Sequence, residues 1–255
     1  MVSMIGVFDS GSGGLTVLKA LRRHAPRADV VYFGDLKNAP YGNRGRDELD
    51  VLTAEGMRTL LRYGATEIVS ACNSVAVSTK RTCEVCDIPY TSSIEMVGPT
   101  VGSFMDTNAK VLVLATVATI DSAIYQSKLE AKGIVADGIA LPDLVKCIEE
   151  GRPRDMMTEM IRAALMAQVS RGYSHIILGC THFPLVHDIF EEILSSVGID
   201  AVLVDPAEAV AQTVASQFTI EGNGTTRILV SAKSTIFESF VRTLFPGEAY
   251  AVEVI

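Results

Sequence analysis

Short apolar runs alternate along this chain with stretches whose apolar residues recur every three or four positions, a rhythm that predicts alternating strands and helices. Met4-Ile5-Gly6-Val7-Phe8 reads as a first strand, because a short β-branched run suits a strand buried on both faces. After the turn Asp9-Ser10-Gly11-Ser12-Gly13-Gly14, residues Leu15, Leu18 and Leu21 mark a helix. Val30 to Phe33 is a second strand, and a loop with Pro40-Tyr41-Gly42 precedes a helix from about Asp47 to Tyr63. Ile68-Val69-Ser70 is a third strand that stops at Ala71-Cys72-Asn73-Ser74, with helix from Ala76 to about Cys83. Pro89-Tyr90-Thr91-Ser92 then leads into Ile94-Glu95-Met96, read as the crossing into a second lobe.

The rhythm then restarts. The run Val111 to Ile120 lies between Lys110 and Asp121. It falls short of the ~20 residues of a bilayer span, so it is expected as a core strand. Thr116, Thr119 and Ser122 gather hydroxyls at its turn into a helix that reaches about Lys132, where they could serve as caps. Val135 to Leu141 is a strand, followed by helices at Leu144 to Glu150 and Asp155 to Arg171. Ile176 to Leu178 is a buried strand carrying Cys180 at its end, and Ile199 to Val204 a last strand broken by Asp205-Pro206. Ala207 to Gln217 is a helix crossing back toward strands at Arg227 to Ser231 and Tyr250 to Val254, with a helix from Phe237 to Leu244 between them. The fold class expected is α/β, with two doubly wound parallel-sheet lobes related by pseudo-symmetry and a ligand cleft at their strand C-termini. Residues 1–95 plus 209–255 would form the lobe carrying Cys72, and residues 96–208 the lobe carrying Cys180.

Composition narrows the functions. With 255 residues and 48% hydrophobic side chains, the chain can bury one large core or two. The net charge of −8 argues against a nucleic-acid partner, whose phosphates need a basic footprint. With neither a membrane span nor a basic-then-apolar leader, a cytoplasmic protein without a membrane partner is expected. Five cysteines, an odd number, are then reduced thiols.

The glycine-rich turn resembles a nucleotide loop only loosely. The dinucleotide fingerprint would need glycine where Thr16 stands, and no Gly-Lys-Ser/Thr element follows. What remains is a ring of backbone N–H groups suited to some anion, with Asp9 beside it. Cys83-x-x-Cys86 has zinc-type spacing but no second pair, so it reads as structural and no metal is expected. Cys147, among apolar neighbours, reads as core. Cys72 and Cys180 are different, since each ends a strand before a helix, where backbone N–H groups would lower a thiol pKa from about 8.5. Polar side chains follow each thiol, Asn73 and Ser74 in one half and Thr181 and His182 in the other. Two readings stand at this point: small residues buried at tight turns, or two reactive thiols facing one pocket.

Four ordered motifs carry a resemblance. Asp9-Ser10-Gly11-x-Gly13-Gly14-Leu15-Thr16-Val17-Leu18, Pro40-Tyr41-Gly42, Ala71-Cys72-Asn73 and Gly179-Cys180-Thr181-His182-x-Pro184-Leu185 resemble the glutamate racemases of the aspartate/glutamate racemase superfamily. The resemblance runs from Ile5 to about Asp205-Pro206-Ala207, and Thr181-His182 fits the glutamate branch rather than the Cys-Thr-Glu of aspartate racemases. It implies two α/β lobes, no cofactor, glutamate as the small-molecule substrate, frequent homodimers, and D-glutamate made for peptidoglycan synthesis. It also implies that Cys72 works on the D enantiomer and Cys180 on the L, one thiol on each face of the α-carbon. Asp9 and His182 would assist proton movement, with Asp35 and Glu149 in support. Ser10, Tyr41, Gly42, Asn73, Ser74, Thr116, Thr119 and Thr181 would hold the carboxylate and ammonium groups. Ser74 stands where the family usually has Thr, and Leu141-Pro142 where Cys-Pro is common. Racemisation of another small acid, such as aspartate or a hydantoin, or a binding protein with idle thiols, are the alternatives.

Overall fold

The computed structural model describes residues 3–88 and 92–255. The first half begins with strands β1 (Met4–Asp9), β2 (Asp29–Gly34), β3 (Glu67–Ser70) and β4 (Ser93–Glu95). The second contributes β5 (Lys110–Ala115), β6 (Val135–Ala140), β7 (His175–Gly179) and β8 (Val202–Val204), before the chain returns with β9 (Thr226–Val230) and β10 (Val252–Val254). Among the described residues these form a six-stranded sheet, β10-β9-β2-β1-β3-β4, and a four-stranded sheet, β6-β5-β7-β8. Every pairing is parallel. The order β2-β1-β3-β4 in one sheet therefore matches β6-β5-β7-β8 in the other, which is the pseudo-symmetry expected of two doubly wound units.

The burial explains why the strands read as unbroken apolar runs. On β5, Leu112 and Leu114 enter one core cluster while Val111, Val113 and Ala115 enter another. On β2, Val30 and Tyr32 point to one side of the first sheet and Val31 and Phe33 to the other. Both faces are covered by helices, as parallel sheets require. The edge strands β6, β8 and β10 are the more exposed ones.

The helices are α1 (Gly14–His24), α2 (Arg46–Arg62), α3 (Thr79–Val85), α4 (Val97–Gly102), α5 (Val117–Asp121), α6 (Ile124–Glu130), α7 (Leu144–Glu149), α8 (Arg154–Met166), α9 (His187–Val197), α10 (Pro206–Gln217) and α11 (Thr235–Leu244). Among the described residues no helix is long and apolar enough to cross a membrane.

Several elements differ from expectation. Ile94-Glu95 is not a crossing but part of β4, paired with β3. A three-residue strand has too little periodicity to show in sequence. The preceding Pro89-Tyr90-Thr91 lies outside the described residues. The run Val111 to Ile120 is not one strand, because Thr116 turns into α5, its hydroxyl accepting the Thr119 N–H at 3.4 Å. The helix expected from Ala76 is a 3-10 turn, Asn73–Val75, followed by α3. The boundary expected at 208/209 falls within α10, whose Ala207, Val210, Ala211 and Val214 already belong to the first sheet's core.

Candidate active site

Equivalent strands of the two sheets deliver their loops to one place. Asp9 ends β1, and Ser10 follows it; Cys72-Asn73-Ser74 follows β3, Thr116 to Thr119 follows β5, and Cys180-Thr181-His182 follows β7. In each sheet the chain leaves the first strand to one side and returns on the other, and the ligand sites of doubly wound sheets lie at such a reversal. Cys72 and Cys180 are thus at matching positions, each followed by a 3-10 turn.

Hydrogen bonds join the halves. Ser74 and Thr116 hydroxyls lie 2.9 Å apart and Thr116 lies 3.1 Å from the Thr119 hydroxyl. Thr116 is therefore both a helix cap and a contact to the first half. Thr181 donates its hydroxyl to Asp9 Oδ1 at 3.0 Å. The backbone N–H of Ala118 donates to the Gly42 carbonyl at 2.9 Å. Tyr125 donates to Asn73 Oδ1 at 2.6 Å, while Asn73 Nδ2 is buried without a hydrogen-bond partner among the described residues.

The glycine-rich loop does not hold an exogenous anion through the N–H groups at its start. The Gly11 N–H donates to Asp9 Oδ2 at 2.8 Å and the Ser12 N–H to Glu149 Oε1 at 2.7 Å, with the Ser12 hydroxyl on Glu149 Oε2 at 3.0 Å. The anions are the protein's own carboxylates, one from each half. The glycines are needed because the second half comes so close. A Cβ on Gly13 would stand 2.5 Å from Thr181 Oγ1 and 2.7 Å from the His182 backbone nitrogen, and one on Gly11 would run into Glu149 Oε1.

The two thiols keep different company. Cys72 is 4% exposed and donates to the Ser10 hydroxyl at 3.5 Å. Burial, reinforced by the Asp9 carboxylate and by Cys180, pushes its pKa up to about 12, and hydrogen bonding with the Ser10 hydroxyl and the Ser74 N–H does not reverse this. The lowering expected from backbone N–H groups is therefore overturned at Cys72, since desolvation opposes a thiolate more than one N–H stabilises it. Cys180, 5% exposed, sits 3.8 Å from His182 Nδ1, whose Nε2 is 2.6 Å from Glu149 Oε1. Burial opposes the imidazolium, yet Cys180 and Glu149 together raise the His182 pKa well above 6.5. Burial likewise acts against the Glu149 carboxylate, but bonds from His182 and Ser12 hold its pKa below the usual value. His182 and Glu149 thus form a buried ion pair beside one thiol.

Asp35 and Tyr41 pair with each other. Tyr41 donates to Asp35 Oδ2 at 2.7 Å, and Asp35 also accepts from Asn38 and from Ser231 at 2.7 Å. Among the described residues neither Asp35 nor the Tyr41 hydroxyl is hydrogen-bonded to a cysteine or to His182. Cys83 donates to Ser93 and Cys86 to the Ala54 carbonyl, so the two are spent on separate packing contacts. Ser12 and Tyr125 belong to the site but were not legible in sequence. Tyr125, four residues before Leu129, looks like an ordinary buried helix position, and the partner of Ser12 lies far along the chain.

The family model described as Asp/Glu/Hydantoin racemase matches residues 6–214. A curated relative, glutamate racemase 3 of Caldanaerobacter subterraneus subsp. tengcongensis, is 33% identical over 98% of this chain and 94% of its own length. The crystal structure of a Francisella tularensis glutamate racemase in complex with D-glutamate superposes with a TM-score of 0.86 at 28% identity, covering 100% of this chain and 97% of that one. The structure of glutamate racemase from Aquifex pyrophilus has a TM-score of 0.82 at 30% identity, covering 98% of each chain.

Proposed function

This chain belongs to the Asp/Glu/Hydantoin racemase family, and on that premise we propose that it interconverts L- and D-glutamate by a cofactor-free, two-thiol proton transfer. The observation that carries the reading is the pair Cys72 and Cys180, at equivalent strand ends of two like-ordered sheets whose loops are bonded across the junction. Inverting a stereocentre requires a base on one face of the α-carbon and an acid on the other, and such a pair offers one group to each face.

With L-glutamate, Cys180 as thiolate takes the α-proton and the Cys72 thiol delivers a proton to the opposite face; with D-glutamate the roles exchange. His182, held protonated by Glu149, steadies a negative Cys180. Burial and Asp9 disfavour the Cys72 thiolate, which keeps Cys72 in the protonated form required of the acid. The unpartnered N–H groups of Asn73 and the hydroxyls of Ser10, Ser74, Thr116, Thr119 and Thr181 are the groups proposed to grip the substrate's charged ends. In this reading Tyr41 and Gly42 line the site as a shaped loop rather than through the Tyr41 hydroxyl, which is engaged with Asp35.

Both thiols are buried, so substrate reaches them only when the halves part, and closure then excludes water from the carbanion. We place this activity in the cytoplasm, in a homodimer, supplying D-glutamate for peptidoglycan synthesis. The test is to follow optical activity of each enantiomer of glutamate and of aspartate with the purified protein. Glutamate should lose optical activity from both sides. Aspartate should react at least about tenfold more slowly, since one methylene of fit discriminates by ~1–3 kcal/mol. Glutamate left unchanged would overturn the assignment.

A further inference from the structure

The orphaned amide of Asn73 has an unusual support. Its oxygen accepts from Tyr125, which rises from the other half of the molecule on α6, and both residues are buried. The neighbouring Thr100 hydroxyl donates to the Met96 carbonyl at 2.6 Å, and burial raises the Tyr125 pKa well above 10. A tyrosine that keeps its proton and donates it to the amide oxygen fixes which way the amide faces. The NH2 end then has no hydrogen-bond partner among the described residues. The approach to Tyr125 is shaped as well: Ala123, just before α6, is in the left-handed region with φ 50° and ψ 22°. That conformation is unfavourable for an L residue with a side chain. It separates α5 from α6 and places Tyr125 in the first turn of a new helix.

We propose that Tyr125 is a positioning residue for the racemase reaction, locking the Asn73 amide so that its N–H groups face a carboxylate of the substrate. The inference rests on the racemase reading above and extends it to a residue outside the loops that hold the thiols. It also makes substrate binding depend on contact between the halves, because Asn73 comes from the first half and Tyr125 from the second.

Tyr125→Phe keeps the ring and removes the hydroxyl. The freed amide can then turn its oxygen toward the carboxylate, so KM for both enantiomers of glutamate should rise about tenfold, in keeping with one lost hydrogen bond between buried groups. kcat should stay within about threefold, as for an interaction made equally in ground and transition states. A role confined to structure would lower kcat, through the active fraction, and leave KM alone; that result, or wild-type KM, overturns the proposal. A second readout is independent of turnover. The Asn73 side-chain amide signal, assigned by its loss in Asn73→Ala, should shift or double in Tyr125→Phe without substrate, and in wild type it should move when D-glutamate is added. An amide signal unmoved by D-glutamate overturns the proposal even where Tyr125→Phe does not fold. A wild-type protein that fails to racemise glutamate counts against the racemase reading instead, and the amide signal of Tyr125→Phe still decides whether Tyr125 sets the amide.

Discussion

Cys72 and Cys180 occupy the same position in two sheets of the same strand order, yet one lies beside a carboxylate and the other beside a protonated imidazole. The fold repeats; the electrostatics do not. The backbone decides where each thiol stands, while the loops that reach it from the rest of the chain decide what charge stands beside it. Asp9 and burial keep the proton on Cys72, and His182 with Glu149 set positive charge beside Cys180. The surroundings of Cys72 thus favour its protonated form, the form in which it would act as the acid on L-glutamate in the proposed mechanism. This bias cannot favour one product. Enantiomers have equal free energy in water, so kcat/KM must be the same in both directions, and the asymmetry can appear only as compensating differences in kcat and KM.

The comparison breaks most sharply at the thiols themselves. Cys72→Ser and Cys180→Ser should each lower racemisation by at least about a hundredfold, the size of a lost general acid or base. Polarimetry on the purified variants decides it, and near-wild-type racemisation in either would show that the two positions are not both used.

A smaller change sharpens the difference between the halves. Glu149→Gln removes the partner that holds His182 charged, and kcat/KM should fall about tenfold, equally for both enantiomers, as expected for one charge-assisted hydrogen bond. Stability should respond with pH in a defined window. Glu149 has a lowered pKa in the fold, so its contribution is present above 4.5 and fades as pH falls through the lowered value. His182 has a raised one, so its contribution is present below 6.5 and fades as pH rises through the raised value. Denaturant unfolding of wild type and Glu149→Gln should therefore differ most between pH 4.5 and 6.5, by about 1–3 kcal/mol. A gap that is flat across pH would mean that the pair is not charged.

Much of this arrangement was legible in the chain. Strands buried on both faces announce themselves as apolar runs, and the repeated order of run, cysteine and polar residue marked both thiols. Four motifs were enough to point to the family. The remainder depends on contacts between distant residues. Ser12 and Glu149 meet only because the lobes face each other, and no local pattern around Glu149 reveals its use. The glycine loop read as an anion cradle because its N–H groups are indeed directed at carboxylates, but those carboxylates come from Asp9 and Glu149. The thiol pKa expectation failed at Cys72 because strand-end N–H groups are visible in sequence while the depth of burial and the Asp9 charge are not. Tyr125 carried no signal beyond that of a buried helix residue.

The central claim is that two separate thiols serve opposite faces of one α-carbon. It is tested most directly by running the reaction in D2O from each enantiomer and measuring deuterium at the α-carbon early in the reaction, in product and in recovered substrate. Two thiols acting from opposite sides predict that the newly formed enantiomer carries deuterium while the remaining starting enantiomer stays protiated, whichever enantiomer is used. Deuterium entering the recovered substrate as fast as the product, or product that retains the original proton, would contradict the account, because both results require one group to remove and return the proton.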